Sequence, residues 1–235
     1  MKTITELKSE AKEVLKGRWK ESVMLCLIPL LIRMAITLLL FLLLVIPMIT
    51  FIKHNPDFFS GNTSYELDFE NGIHSFVSGI VSTLFNIGIS WTFLDILRGR
   101  KKRIRPLMDG LRAFAKPFIL GAIGLYLLTF VFSVFWLLLL VIPGIVKSYS
   151  YSQVYFIYYD VFEEKGTRRS LLACITKSRN IMNGYKRKLF LLDLSFIGWH
   201  ILAILSLGIG YLWLIPYIYT TKAVFYENLL KAKII

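Results

Sequence analysis

Residues 22–52 read SVMLCLIPLLIRMAITLLLFLLLVIPMITFI, and Arg33 is the single charged residue in this run. A helix of this length would be about 45 Å long, whereas the hydrocarbon core of a bilayer is about 30 Å thick. The stretch therefore predicts a membrane-spanning helix that tilts or bends. Pro29 and Pro47 mark the expected bends, because proline cannot donate a backbone hydrogen bond inside a helix.

The composition of the whole chain agrees with a membrane protein. Hydrophobic residues make up 56% of the sequence, charged residues make up 18%, and the mean hydropathy is +0.61. A soluble domain is usually about 45–50% apolar and about a quarter charged. A globule of 235 residues cannot bury such an excess of apolar side chains, so a freely soluble enzyme is excluded.

The chain is expected to form one integral membrane domain over residues 1–235. The predicted fold class is all-α: a polytopic bundle of six transmembrane helices with interfacial amphipathic helices. The spans are predicted at residues 22–52, 73–97, 117–142, 145–162, 189–206 and 211–230. The fourth span is rich in tyrosine and only weakly apolar, and the main alternative is a chain of four spans in which the weak helices are loops.

The distribution of charge predicts the orientation. The formal net charge is +13, and four segments hold 25 of the 28 Lys and Arg residues. They are residues 1–20, residues 98–116, residues 163–188 and the last helix with its tail. Six spans put all four in the cytosol together with both termini, as the positive-inside rule requires. The acidic loop 53–72 is then outside, and amphipathic helices are expected over 3–20, from about Arg105, and over 167–183.

The sequence also suggests a threefold internal repeat. Each unit contains a basic amphipathic helix, an apolar helix, a turn, and a helix that ends in aromatic residues and an acid. The closing strings are Trp91-Thr-Phe-Leu-Asp95, Phe156-Ile-Tyr-Tyr-Asp160 and Val224-Phe-Tyr-Glu227. The units would cover residues 3–97, 104–162 and 167–230 and form a pseudo-threefold bundle.

Two sets of residues are candidate functional sites. Four acids near the predicted cytosolic ends of spans would form an ion-paired collar, and a cation or proton site is the alternative. They are Asp95, Asp160, Asp193 and Glu227. Arg33 and His200 lie near the middle of their spans, so they could line a polar cavity with Tyr155 of the tyrosine-rich helix. His200 could instead donate a hydrogen bond to a neighbouring helix.

Motifs of catalysis are missing from the sequence. It has three histidines without metal-ligand spacing, no nucleophile elbow of the form G-x-S-x-G, and no phosphate-binding glycine loop. We therefore expect a protein that is not an enzyme and has no catalytic, cofactor or metal site. The basic segments lack RNA-binding aromatic motifs and zinc-finger spacing, so no nucleic-acid partner is expected.

Several ordered strings resemble a bacterial integral membrane protein family known as a domain of unknown function (number nine-seven-five). They are residues 142–150, 178–184, 194–199 and 207–217, together with 15–20 near the N-terminus. The resemblance implies a multi-pass protein of the bacterial cell membrane, and it implies no activity and no site residues.

Two functions are consistent with the sequence. The first is a non-enzymatic membrane module that organises lipid or a protein partner. Its basic amphipathic helices would bind anionic lipid headgroups of the bilayer. The alternative is a small-solute transporter or permease with a polar cavity between its helices.

Overall fold

The computed structural model describes residues 1–40, 42–43, 46–54, 64–166 and 170–234, and these residues form an all-α protein. The helices are α1 (Ile4–Leu15), α2 (Trp19–Leu40), α3 (Ile46–His54), α4 (Ser64–Leu97), α5 (Pro106–Gly110), α6 (Lys116–Leu139), α7 (Val141–Tyr151), α8 (Val154–Lys165), α9 (Leu171–Ile181), α10 (Lys186–Leu194), α11 (Ile197–Leu205) and α12 (Tyr211–Ile234). A short 3₁₀ helix, Arg112–Phe114, joins α5 to α6. Residues 55–63 of the acidic loop predicted at 53–72 lie outside the described residues, whereas residues 64–72 begin α4 and are helical instead of a loop.

Three helical segments among the described residues are long and apolar enough to span a membrane. They are Phe76–Leu97, Lys116–Leu138 and Lys186–Leu205. These segments coincide with the second, third and fifth predicted spans. The third segment includes α10 and α11, which are separated by a turn at Ser195 and Phe196.

The prediction of six spans is not confirmed. The spans predicted at 22–52, 145–162 and 211–230 differ from the three segments above, each for its own reason. The span predicted at 22–52 falls on α2 and α3, and residues 41, 44 and 45 between them lie outside the described part of the chain. The last predicted span lies inside α12, where Lys222 and Glu227 lower the hydropathy.

The fourth predicted span, 145–162, is two helices instead of one. Helix α7 ends at Tyr151 and α8 begins at Val154, with Ser152 and Gln153 in a turn between them. Pro143 and Gly144 lie in the first turn of α7, and the extended residue before this helix is Leu140. Proline is tolerated there, since the first backbone N–H groups of a helix have no partner in any case.

The amphipathic helices pack on the apolar helices through one buried face. In α1, Leu7, Ala11 and Leu15 recur every four residues and are buried. Thr3 caps this helix: its hydroxyl accepts the Glu6 N–H, and the Glu6 carboxylate accepts the Thr3 N–H at 2.6 Å.

Helix α1 packs mainly on α12, α5 on α2 and α4, and α9 on α6, α7 and α8. With the three predicted units numbered along the chain, α1 of unit 1 packs on unit 3, α5 of unit 2 packs on unit 1, and α9 of unit 3 packs on unit 2. A threefold repeat would give this order. The repeat itself stays a prediction.

The molecule has a packed zone and an exposed apolar zone. The packed zone contains large side chains that are fully buried, among them Trp91, Phe93 and Tyr226. Side chains are exposed instead where α6 meets α7 and where α11 meets α12: Leu138 is 81% exposed and Leu207 is 94% exposed. Contiguous apolar surface of this kind is unfavourable in water and favourable in lipid, so this zone fits a membrane-embedded region.

Candidate functional site

One guanidinium connects three helices. Arg98 follows α4, Asp160 lies in α8 and Glu227 lies in α12. The Arg98 guanidinium donates two hydrogen bonds to the Asp160 carboxylate, the longer at 3.0 Å, and its Nε donates to Glu227 Oε2 at 2.8 Å. The Tyr226 hydroxyl donates to Asp160 Oδ2 at 2.7 Å. We call these four residues the Arg98 cluster.

The electrostatics of the Arg98 cluster favour a permanently charged guanidinium. Burial opposes the charge, but the hydrogen bonds and negative charges of Asp160 and Glu227 outweigh it and raise the pKa of Arg98. Two carboxylates face one cation, and Lys231 adds a second positive charge 3.9 Å from Glu227. The cluster can thus hold three helices together without moving a proton.

A second ion pair lies beside the Arg98 cluster. The Arg112 guanidinium donates to Asp95 and also to the Tyr159 hydroxyl at 2.6 Å. That hydroxyl lies 2.9 and 2.8 Å from the two carboxylate oxygens of Asp95. Asp95 and Tyr159 are buried, so each polar atom needs these partners to offset the loss of water.

The two sites share a geometry that the sequence reasoning missed. The Trp91 ring stacks on Tyr159 with centroids 4.9 Å apart, and the Phe156 ring stacks on Tyr226 at the same distance. In each case the tyrosine comes directly before the acid of its own closing string and donates to the acid of the preceding string. The signal was present in the sequence as a tyrosine next to the acid in two of three strings. Without the fold, this tyrosine indicates only an aromatic ending.

Asp193 lies apart from the other three predicted acids. Its carboxylate is 3.3 Å from the Lys222 ammonium. This pair borders a cavity of about 280 Å³ next to the break between α7 and α8. The four predicted acids are therefore distributed over three places, with Asp160 and Glu227 together in the Arg98 cluster.

The residues predicted for a mid-span polar cavity have separate neighbours. The His200 ring lies 5.7 Å from the Tyr211 ring, at the hairpin of α11 and α12. Tyr155 contacts Thr129 of α6, and its carbonyl accepts the indole N–H of Trp91 at 2.9 Å. The side chain of Arg33 lies outside the described part of the structure. Neither His200 nor Tyr155 lines the 280 Å³ cavity.

Within the described ranges, no group of three or more His, Cys, Asp or Glu side chains could hold a metal ion. The ion pairs and the cavity thus remain the candidate sites.

Comparison with known proteins gives one match. No curated protein and no solved structure matches the chain. Residues 122–233 match the family described as "Protein of unknown function (DUF975)". Four of the five strings that carry the resemblance lie inside this range, and residues 15–20 lie outside it. The segment 122–233, which includes the helices that carry Asp160, Asp193 and Glu227, therefore belongs to the DUF975 family.

Proposed function

We propose that the protein is a non-enzymatic module of the bacterial cell membrane that crosses six times and binds anionic lipid headgroups through its cationic end. One observation carries this proposal. Three buried acids at that end are paired within the protein: Asp95 with Arg112, Asp109 with Lys101, and Asp160 with Arg98. Three exposed cations nearby have no ion-pair partner among the described residues, namely Arg100, Lys102 and Arg103.

Contacts between the cationic segments hold these segments at the same end of the fold. The Ile104 N–H donates to the Glu21 carboxylate at 3.2 Å, so the connector after α4 lies beside the start of α2. The N-terminal helix meets α12 through Glu10 and Asn228, 3.3 Å apart. The Lys188 ammonium donates to the carbonyl of Met1 at 3.2 Å. A cationic surface made of several segments is what an anionic leaflet attracts.

The charge balance favours lipid over a protein partner as the ligand of this surface. Each Lys or Arg near an anionic leaflet contributes about 1 kcal/mol of attraction. Removal of two exposed cations should therefore weaken binding of anionic lipid by about 30-fold.

The experiment compares two double variants that remove the same charge. Lys102→Gln/Arg103→Gln changes the cationic end, and Lys53→Gln/Lys147→Gln changes cations outside the four basic segments. Each protein is purified in mixed micelles of phosphatidylglycerol and phosphatidylcholine, and the co-purified lipid is quantified. We expect phosphatidylglycerol to be enriched on the wild type and on the control variant and lost from the first variant. Equal enrichment on both variants would refute the lipid proposal.

Thiol labelling tests the six crossings. Lys102→Cys and Leu207→Cys are made in a background of Cys26→Ser and Cys174→Ala. A membrane-impermeant maleimide should label position 207 in intact cells and position 102 only after permeabilisation. Labelling of position 102 in intact cells would contradict the orientation.

A second candidate function, transport of a small solute, is favoured by the cavity beside the break between α7 and α8. Broken helices of membrane transporters commonly form substrate sites. Uptake by proteoliposomes that contain the purified protein would test it.

A further inference from the structure

The cavity of about 280 Å³ lies where the turn at Ser152 and Gln153 faces α10 and α12. It is lined by Ser148, Tyr149, Ser152, Gln153, Phe156, Leu189, Asp193 and Lys222. Since a water molecule takes about 30 Å³ in the liquid, the cavity has room for a small organic molecule.

Gln153 lines this cavity and carries an unpaired polar atom that is buried in the cavity wall. The residue is 3% exposed, its Nε2 donates to Ser152 Oγ at 2.8 Å, and its Oε1 has no hydrogen-bond partner among the described residues. Rotation of the amide plane would exchange the two atoms and leave the nitrogen unpaired instead. Buried side-chain polar atoms nearly always have a partner, so this side chain is suited to a ligand.

The other polar atoms show which ligand would fit. The Ser148 and Ser152 hydroxyls donate to the carbonyls of Ile145 and Tyr149, so only their lone pairs are left for a ligand, and one lone pair of Ser152 already accepts from Gln153. Together with Gln153 Oε1 and the Asp193 carboxylate, they form a group of acceptors. A primary ammonium group, which has three N–H donors and no acceptor, satisfies this group.

The Lys222 ammonium, 3.3 Å from Asp193, adds a requirement. A ligand that carried only a positive charge would compete with Lys222 for the carboxylate and be repelled by it. A ligand that also carries a negative group would pair its ammonium with Asp193 and its anion with Lys222, so no charge is left without a partner. Phe156 and Leu189 would contact its carbon atoms.

We infer that this cavity binds a small zwitterion with a primary ammonium group and, a few bonds away, a carboxylate or phosphate. Two sources supply this chemistry: a free amino acid and the headgroup of phosphatidylethanolamine. The inference concerns residues other than those of the cationic surface, so it stands or fails independently of the proposed lipid binding there.

The probes separate the sources. Saturation-transfer NMR on the detergent-solubilised protein is recorded with L-alanine, with phosphoethanolamine and with phosphocholine. Phosphocholine is the control, because its quaternary ammonium has no N–H to donate. Binding of L-alanine alone identifies a free amino acid as the ligand class. Binding of phosphoethanolamine, with enrichment of phosphatidylethanolamine over phosphatidylcholine in nanodiscs, identifies the lipid headgroup.

Two variants connect binding to the cavity. Gln153→Leu should weaken binding of whichever zwitterion binds the wild type at least about tenfold. This is the size expected for loss of a hydrogen bond to a charged group. Its thermal midpoint should stay equal or rise, because an unpaired buried polar group is removed; a residue with only a structural role would lower it. Ser22→Ala is the matched control, since Ser22 Oγ is also buried without a partner among the described residues and lies outside the lining of this cavity. It should leave binding unchanged.

Lys222→Met should remove the advantage of phosphoethanolamine over ethanolamine, which lacks the anionic group. The inference is overturned if neither zwitterion binds, if phosphocholine binds as tightly as phosphoethanolamine, or if Gln153→Leu binds as tightly as the wild type.

Discussion

Replacement of Arg98 by methionine tests whether the Arg98 cluster holds the helices together. The side chain of Arg98 is 14% exposed, and those of Asp160 and Glu227 are 11% and 19% exposed. Methionine keeps most of the apolar stem of the side chain and removes the charge, so two carboxylates are left at a buried site without their cation. Loss of one partner from a buried ion pair usually costs about 3–5 kcal/mol of unfolding free energy.

Lys231→Met is the matched control. It removes a cation from the same carboxylate, but Lys231 is 69% exposed and 3.9 Å from Glu227. An exposed pair of this kind contributes about 0–1 kcal/mol. The two variants therefore lose the same charge at the same acid and are expected to differ by at least about 2 kcal/mol.

Equilibrium unfolding of the detergent-solubilised protein in SDS, followed by tryptophan fluorescence, measures both free energies. A third variant, Arg98→Met/Asp160→Asn/Glu227→Gln, removes the unpaired charges and should recover most of the loss. If Arg98→Met costs no more than Lys231→Met, the three helices are held together by apolar packing, and the structural role assigned to the guanidinium is wrong.

Three further changes give measurable results in the same unfolding assay. Arg112→Lys keeps the charge but cannot reach Asp95 and Tyr159 with a planar pair of donors, so a loss of about 1.5–3 kcal/mol is expected, and no loss would contradict the paired geometry. Gly88→Ala should destabilise by about 1–3 kcal/mol, because its Cβ would lie 2.7 Å from the backbone oxygen of Gly110, whereas Gly198→Ala meets nothing within 4 Å and should be neutral or stabilising. Thr3→Ala should cost about 1 kcal/mol and increase hydrogen exchange in α1.

The capping box of α1 also predicts a dependence on pH. The backbone N–H and then the hydroxyl of Thr3 lower the pKa of Glu6 below its ordinary value of 4.5. A lowered carboxyl pKa stabilises the fold fully above that ordinary value, and the stabilisation is lost as the pH falls through the folded-state pKa. The protection factors of the α1 amides, which correct for slower intrinsic exchange in acid, should therefore fall in acid in the wild type and change less in Thr3→Ala.

The sequence predicted the helical class and the apolar helices over 73–97, 117–142 and 189–206, because long apolar runs have few other solutions in a membrane. It could not predict the break at Ser152 and Gln153. This break interrupts a tyrosine-rich helix without a glycine or proline at the turn, so no local signal marks it. The ion-pair partners of the acids could not be predicted from local sequence patterns either. Arg98 lies 62 residues from Asp160 and 129 residues from Glu227, and only the packing of α4, α8 and α12 brings them together.

The third closing string shows why one arginine serves two acids. Tyr159 donates to Asp95, and Tyr226 donates to Asp160, so each tyrosine reaches the acid of the preceding string. In a threefold repeat the remaining acid, Glu227, would receive the side chain before Asp95. That residue is Leu94, which has no donor. Arg98, one helical turn further along, donates to Glu227 instead and continues to Asp160. A threefold repeat would thus be closed by a charged group where the aromatic donor is missing, at the junction of α4, α8 and α12.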